Sequence, residues 1–140
     1  MIKVSDIDQC NLIDIPRLDD YRGSLSFIEG SNHIPFEIAR IYYLYGVPDA
    51  CKRGSHAHRK LSQLIFAMSG SFDIVLDDGQ TKKRMTLSRP DQGLYVCPMI
   101  WRDLENFSKE AVCMVLASDI YDAEDYISDY RYFLAEKSKQ

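Results

Sequence analysis

The chain has 140 residues, 46% apolar and 27% charged, with a formal charge of -4 and a pI near 5.3. This is the composition of a soluble globular domain long enough to bury a core without staples. The acidic balance excludes a broad basic face for nucleic acid or an acidic membrane, though not a few arginines aimed at one phosphate ligand. Cys10, Cys51, Cys97 and Cys113 are scattered with no CxxC pair, and read as buried thiols in a reducing cytoplasm rather than a disulfide framework. Met1-Ile2-Lys3-Val4 opens on structured-looking sequence with no signal peptide, and no apolar run is long enough to span a bilayer. One cytoplasmic domain over residues 1–140 is expected.

In chain order, residues 19–24 read as a turn leading into an apolar run at 25–29, which Gly30-Ser31-Asn32 breaks. Residues 36–45 alternate and are rich in aromatic and β-branched side chains, so a strand is predicted there. Strands follow at 62–68 and 72–76, parted by Ser69-Gly70-Ser71. Asp77-Asp78-Gly79 is a hairpin signal, because glycine tolerates the positive φ of such turns. Further strands are predicted at 81–87, 94–97 and 111–117. Short strands spaced by about 8–12 residues indicate a sandwich or barrel. The period changes only at the end. Tyr126, Ile127, Tyr130, Phe133 and Leu134 fall on helical spacing, which predicts an amphipathic helix over about residues 121–136, packed on the barrel or on a partner. His33 sits in a loop, and Lys82-Lys83-Arg84 reads as a solvated face.

Two of the three histidines, His56 and His58, lie in Arg53-Gly54-Ser55-His56-Ala57-His58. Residues i and i+2 of an extended chain share a face, so both imidazoles converge if that face lines a barrel. Such a pair serves either metal ligation or acid–base work near neutral pH. The spacing His56-x-His58-x4-Gln63-x6-Gly70 resembles the first metal motif of the cupins, all-β jelly-roll barrels also called double-stranded β-helices. Gln63 stands where their glutamate would be, and Arg102 where a later histidine is expected. A neutral amide is a poor ligand for a divalent cation and a guanidinium is none. The geometry is cupin-like, and no metal is expected.

The combination of Arg53-Gly54-Ser55-His56-Ala57-His58 with Leu76-Asp77-Asp78-Gly79, Gly93-Leu94-Tyr95-Val96, Pro98 with Trp101, and Val115-Leu116-Ala117-Ser118 with Tyr121-Asp122 and Asp125-Tyr126-Ile127 is more specific. Together with Asp20-Tyr21-Arg22-Gly23-Ser24-Leu25 and the 35–43 run, it resembles the sugar 3,4-ketoisomerases, small cupins related to the dTDP-sugar 3,5-epimerases. The likeness extends from about Asp20 to Tyr130. It implies a cupin barrel with a short C-terminal helix, a homodimer, and cofactor-free conversion of dTDP-4-keto-6-deoxyglucose into its 3-keto isomer. An aminotransferase would then make a 3-amino-3,6-dideoxy sugar for surface glycans such as lipopolysaccharide O-antigen or S-layer chains.

On that resemblance His56 and His58 form the acid–base pair, with the C3 base left open between them. Tyr43, or alternatively Tyr42, shuttles protons between the sugar oxygens. Arg22, Arg40 and Arg53 grip the diphosphate, while Tyr95 and Trp101 stack on thymine or shape the sugar pocket, with Gln63 and Arg102 near the substrate. Each has a plainer competitor: the tyrosines of 42–45 as core, Arg40 as a surface ion pair, Trp101 as a barrel plug. Arg102 replaces a histidine found in relatives, which points to a gluco rather than a galacto product. Two alternatives stay open: a 3,5-epimerase, whose family uses a His–Asp pair and a tyrosine acid, and a non-catalytic nucleotide-sugar-binding cupin.

Overall fold

The computed structural model describes residues 6–140; residues 1–5, including the opening Met1-Ile2-Lys3-Val4, lie outside the described residues. After a short 3-10 turn, the strands are β1 (Leu12–Asp14), β2 (Arg17–Asp20), β3 (Gly23–Ser26), β4 (Arg40–Tyr45), β5 (Arg53–His58), β6 (Gln63–Ser69), β7 (Phe72–Asp77), β8 (Lys82–Leu87), β9 (Gln92–Val96), β10 (Trp101–Glu105), β11 (Val112–Ala117) and β12 (Tyr126–Ile127), followed by helix α1 (Tyr130–Lys137). The strands form two five-stranded sheets, ordered β1-β9-β6-β11-β4 and β12-β5-β10-β7-β8, plus the β2–β3 hairpin. All these pairings are antiparallel. This is the predicted all-β barrel with a short C-terminal helix.

Pleat decides what faces the barrel interior. Partners across an antiparallel ladder share a face. Ile65, Val115, Leu76 and Ile74 belong to the buried core between the sheets. Gln63 shares a face with Ile65 along β6. Tyr42 pairs into the β11 ladder opposite Val115, Arg102 sits opposite Leu76 and His56 opposite Arg102. All four therefore point inward. The intervening positions build outer layers: Leu64, Phe66 and Leu116 on one sheet, and Ala57 and Trp101 under the helix on the other.

The hairpin forms where Asp77-Asp78-Gly79 predicts it, between β7 and β8, with Gly79 at φ +93. The Asp78 carboxylate accepts from the amides of Gln80 and Thr81, and from Ile7 across the molecule.

β5 carries an irregularity that alternation alone does not anticipate. Opposite β10, His56 pairs with Arg102 but Gly54 pairs with Asp103, so Ser55 is an extra residue. Gly54 (φ +83) and Ser55 (φ 57) both take left-handed backbone, and the Ser55 hydroxyl donates to Asp103 at 2.6 Å. The bulge shifts the phase of the strand, so Arg53, three residues from His56, lines the same cleft as His56.

The helix differs from expectation. Residues 123–125 make a 3-10 turn, and Tyr126–Ile127 is a strand pairing with His58 and Ala57. Only Tyr130–Lys137 is α-helical, capped by Asp129 accepting from the Tyr132 amide. Tyr126 and Ile127 fall on helical spacing, but an open edge of β5 offers them a ladder. Eight residues are too few for a helix to stand alone. It is held by the fully buried Phe133, whose side chain contributes about 1.5–3 kcal/mol, and by the Tyr130 hydroxyl donating to Asp77 at 2.6 Å. No helix among the described residues is long and apolar enough to cross a membrane.

Three cysteines are buried as expected, but Cys51 is exposed, because it lies in the loop before β5 rather than on a strand. His33 lies in the 30–34 turn, where its Nδ1 accepts from the Glu29 amide. Lys82, Lys83 and Arg84 are exposed along β8, Arg84 reaching Asp73 and Glu105.

Candidate active site

The inward residues of β4, β5, β6 and β10 meet at one end of the barrel in two hydrogen-bonded chains. In the first, His56 Nε2 and His58 Nε2 lie 3.1 Å apart, and His58 Nδ1 lies 3.1 Å from Asp125 Oδ2. The other oxygen of Asp125 accepts from the Lys60 amide at 2.8 Å. A carboxylate only accepts, so His58 carries its proton on Nδ1 and turns the Nε2 lone pair to His56, which supplies the one hydrogen between the rings. Tyr126 packs on both imidazoles, at centroid distances of 5.0 and 4.4 Å.

In the second chain, the Arg102 guanidinium donates through Nη1 to Gln63 Oε1 and through Nε and Nη2 to the Ile100 carbonyl. Gln63 Nε2 in turn donates to the Tyr42 hydroxyl at 3.0 Å. Arg102 and Gln63 are each 1% exposed, and among the described residues no carboxylate pairs with Arg102. Burial therefore lowers the pKa of this guanidinium from its ordinary value.

A buried cation beside buried imidazoles keeps them neutral. Burial first, then the Arg102 charge, push His56 down to about 4, against smaller opposing pulls from the Gly54 carbonyl and Asp103. The same two causes, with His56 and Arg40 behind them, lower His58. Burial raises the Tyr42 phenol, opposed by Arg102, so it stays protonated at neutral pH.

Arg40, Tyr42, Lys52, Arg53, His56 and Tyr126 line an open cleft of about 390 Å³. Arg40 lies over the rings of Tyr42 and Tyr121, 5.4 and 5.7 Å from their centroids. Its Nε and Nη2 are buried with no hydrogen-bond partner among the described residues.

Of the residues singled out from sequence, His56, His58, Arg40, Arg53, Gln63 and Arg102 come together here. Four do not. Tyr43 points away from the interior: β4 alternates strictly, leaving Tyr43 56% exposed and stacked on Tyr45 at 5.8 Å. Tyr42, the stated alternative, is the inward one. Trp101 sits on the outer face, packed against Tyr130 and Phe133, so it plugs the gap under α1. Tyr95 also faces outward, against Phe36, with its hydroxyl on Ser62. Arg22 stands at the exposed β2–β3 turn, paired with Asp20 at 2.6 Å. Asp125 is the residue that sequence reasoning missed. Its nearest clue is its place directly before Tyr126-Ile127, but nothing in the sequence shows that this stretch returns to pair with β5.

The donor set does not suit the divalent metal of other cupins. Beside two imidazoles in mutual contact stand a neutral amide and a fixed cation, and the Asp125 carboxylate is engaged at Nδ1 of His58, the ring nitrogen that does not face His56.

Comparison with known proteins agrees with this geometry. The family model described as FdtA (WxcM-like, C-terminal) matches residues 8–138. The TDP-4-oxo-6-deoxy-alpha-D-glucose-3,4-oxoisomerase of Aneurinibacillus thermoaerophilus is 44% identical over 122 residues, 87% of this chain and 88% of the relative. The 3,4-ketoisomerase QdtA of Thermoanaerobacterium thermosaccharolyticum, solved as a histidine-to-asparagine variant with TDP-4-keto-6-deoxyglucose, superposes with a TM-score of 0.92 at 37% identity, covering 94% of this chain and 95% of that one. The TDP-quinovose 3,4-ketoisomerase WlaRB of Campylobacter jejuni gives 0.88 at 44% identity over 92% of this chain and 99% of its own. These likenesses place the barrel among the sugar isomerases. The chain belongs to the FdtA family of sugar 3,4-ketoisomerases.

Proposed function

We propose that the chain converts TDP-4-keto-6-deoxyglucose into its 3-keto isomer by proton transfer between side chains, without a metal. The observation that carries this reading is a neutral histidine pair, reaching a cleft through His56, beside a buried cation with no carboxylate partner among the described residues. The proton on C3 is acidified by the adjacent C4 ketone. His56, which lines the cleft, takes it, and the C–H electrons form a C3=C4 enediolate whose charge falls on O4. His58 and Asp125 lie behind His56 to receive and balance the added proton. The Arg102 charge and the Tyr42 hydroxyl stabilise the oxyanion, as preorganised donors do. Protonation at C4, with the O3 proton moved to O4, leaves the ketone at C3. Arg40 and Arg53, both at the cleft, hold the diphosphate through charge-assisted bonds.

We place the product in the gluco series. The 44% identity to an enzyme named for TDP-quinovose, a 6-deoxyglucose derivative, supports that placement, as does arginine at position 102. The product would feed an aminotransferase making a 3-amino-3,6-dideoxy sugar for a surface glycan. A homodimer is supported by exposed apolar side chains: Ile41, Tyr43, Tyr45 and Met68 on the outer face of the β4 sheet, and Leu18 and Leu25 on the β2–β3 hairpin. Sedimentation should give twice the 16.2 kDa of the chain.

The test is incubation with TDP-4-keto-6-deoxyglucose in deuterated buffer containing a chelator, followed by proton NMR. Loss of the C3 signal with a new 3-keto species supports the proposal, and an equatorial 4-hydroxyl from the C4 coupling supports the gluco assignment. One observation favours a second reading: His58 has a carboxylate partner, as in the epimerases' His–Asp pair. Exchange at C3 and C5 with no ketone migration would establish that epimerase reading instead. Binding without any exchange would mean a non-catalytic nucleotide-sugar module.

A further inference from the structure

The orientation of a glutamine amide is ordinarily ambiguous, because its oxygen and nitrogen have nearly the same shape. At Gln63 the neighbours remove the ambiguity. The Arg102 guanidinium has only donors, so the atom facing it is Oε1. Nε2 is therefore the atom 3.0 Å from the Tyr42 hydroxyl. The Tyr42 oxygen receives that hydrogen bond, and its own proton must leave in another direction. Tyr42 lines the cleft that His56 lines. A glutamate of the same shape would act oppositely. It would neutralise Arg102 and accept from Tyr42, turning the phenol proton away from the cleft. The burial of Arg102 beside a neutral acceptor is costly, because no carboxylate among the described residues offsets the loss of hydration. A glutamate would relieve that cost. The chain retains the amide.

We propose that Gln63 is a positioning residue that sets the direction of hydrogen bonding along Arg102–Gln63–Tyr42, so that the Tyr42 hydroxyl offers its proton to the substrate oxygens. Gln63 does not line the cleft, and its role is exerted through Tyr42. Sequence comparison with metal cupins makes position 63 a lost ligand; the structure gives the amide a purpose of its own. The inference deepens the ketoisomerase reading and rests on it for its kinetic consequence, but the hydrogen-bond polarity itself is measurable without turnover.

The experiment compares wild type, Gln63→Glu, Tyr42→Phe and the double variant. The first readout is the Raman tyrosine doublet, which separates a phenol that accepts a hydrogen bond from one that donates. It is taken as the difference between each protein and its Tyr42→Phe counterpart, since the chain has nine tyrosines. The difference spectrum should report an accepting phenol in wild type and a donating one in Gln63→Glu, both without substrate. The second readout is kinetic. Gln63→Glu should lower kcat by about tenfold to a hundredfold, with KM and TDP affinity within about threefold. Adding Tyr42→Phe should then cost less than about twofold more, because both changes remove the same proton. An unchanged doublet would overturn the proposal even if every protein were inactive. So would kinetic effects that multiply in the double variant. A wild type that shows the expected doublet but does not isomerise would count against the ketoisomerase reading alone. Melting temperature guards against misfolding, and the doublet of wild type against Tyr42→Phe stands if Gln63→Glu does not fold.

Discussion

The two hydrogen-bonded chains at the cleft are terminated in opposite ways. His56–His58–Asp125 ends on a carboxylate, which only accepts, so its hydrogen bonds run away from the cleft and a proton can be drawn into it. Arg102–Gln63–Tyr42 begins at a guanidinium, which only donates, so its hydrogen bonds run toward the cleft. On the proposed mechanism, one barrel mouth thus holds a proton sink and a proton source without either residue needing an unusual intrinsic chemistry. The difference in charge follows: a carboxylate 3.1 Å from His58 can balance an imidazolium, whereas Arg102 has no carboxylate partner among the described residues and is left to balance an anion formed in the cleft. On that mechanism, what distinguishes acid from base is the group at the buried end.

Cutting the sink should have the largest effect. His56→Asn should reduce kcat by about a thousandfold while calorimetry finds TDP affinity within about threefold; an activity loss below tenfold would remove His56 from the chemistry. Asp125→Asn should cost about 10- to 100-fold in kcat, because an amide can present a donor to Nδ1 and invert the His58 tautomer. A wild-type rate in that variant would leave the carboxylate without a role in turnover.

The source is tested through pH. With His56 held at about 4, kcat/KM should stay level from pH 8 to about 5 and fall below that. Arg102→Met removes a cation that disfavours the imidazolium, so the acid limb should move to higher pH, toward the ordinary histidine value near 6.5. A limb that stays put would show that burial alone sets the pKa. Stability has the matching sign. Unfolded histidine binds protons that the native His56 refuses, so wild-type unfolding free energy should decline as pH falls from about 6.5 through about 4, read by urea melts.

The smallest effects separate inside from outside. Tyr43→Phe should leave kcat within about twofold, since the ring faces solvent. Trp101→Ala should leave KM nearly unchanged while lowering stability by about 3–5 kcal/mol through loss of the α1 contact.

Most of the barrel was legible because short alternating strands and the Asp77-Asp78-Gly79 turn are local signals. The His56–His58 pairing on one face was legible for the same reason, as was the unsuitability of Gln63 and Arg102 for metal. Choosing between Tyr42 and Tyr43 required knowing the phase of β4 against β11, which a continuous run of aromatics does not reveal. Trp101 stays open in the sequence between pocket and plug, because its packing against Phe133 depends on where the helix docks. Asp125 meets His58 across 67 residues of sequence, and the pairing of β12 with β5 that brings them together is a tertiary event that overrides the helical spacing of Tyr126 and Ile127.

The extra residue at Ser55 makes β5 a strand with two independent halves. In a regular strand the three-residue spacing would put Arg53 and His56 on opposite faces; the unpaired Ser55 restores the phase, so Arg53 opposes Leu104 and both side chains reach one cleft. The backbone at residues 54–55, rather than any side chain in the cleft, thus sets which cation of the strand shares a face with the histidines.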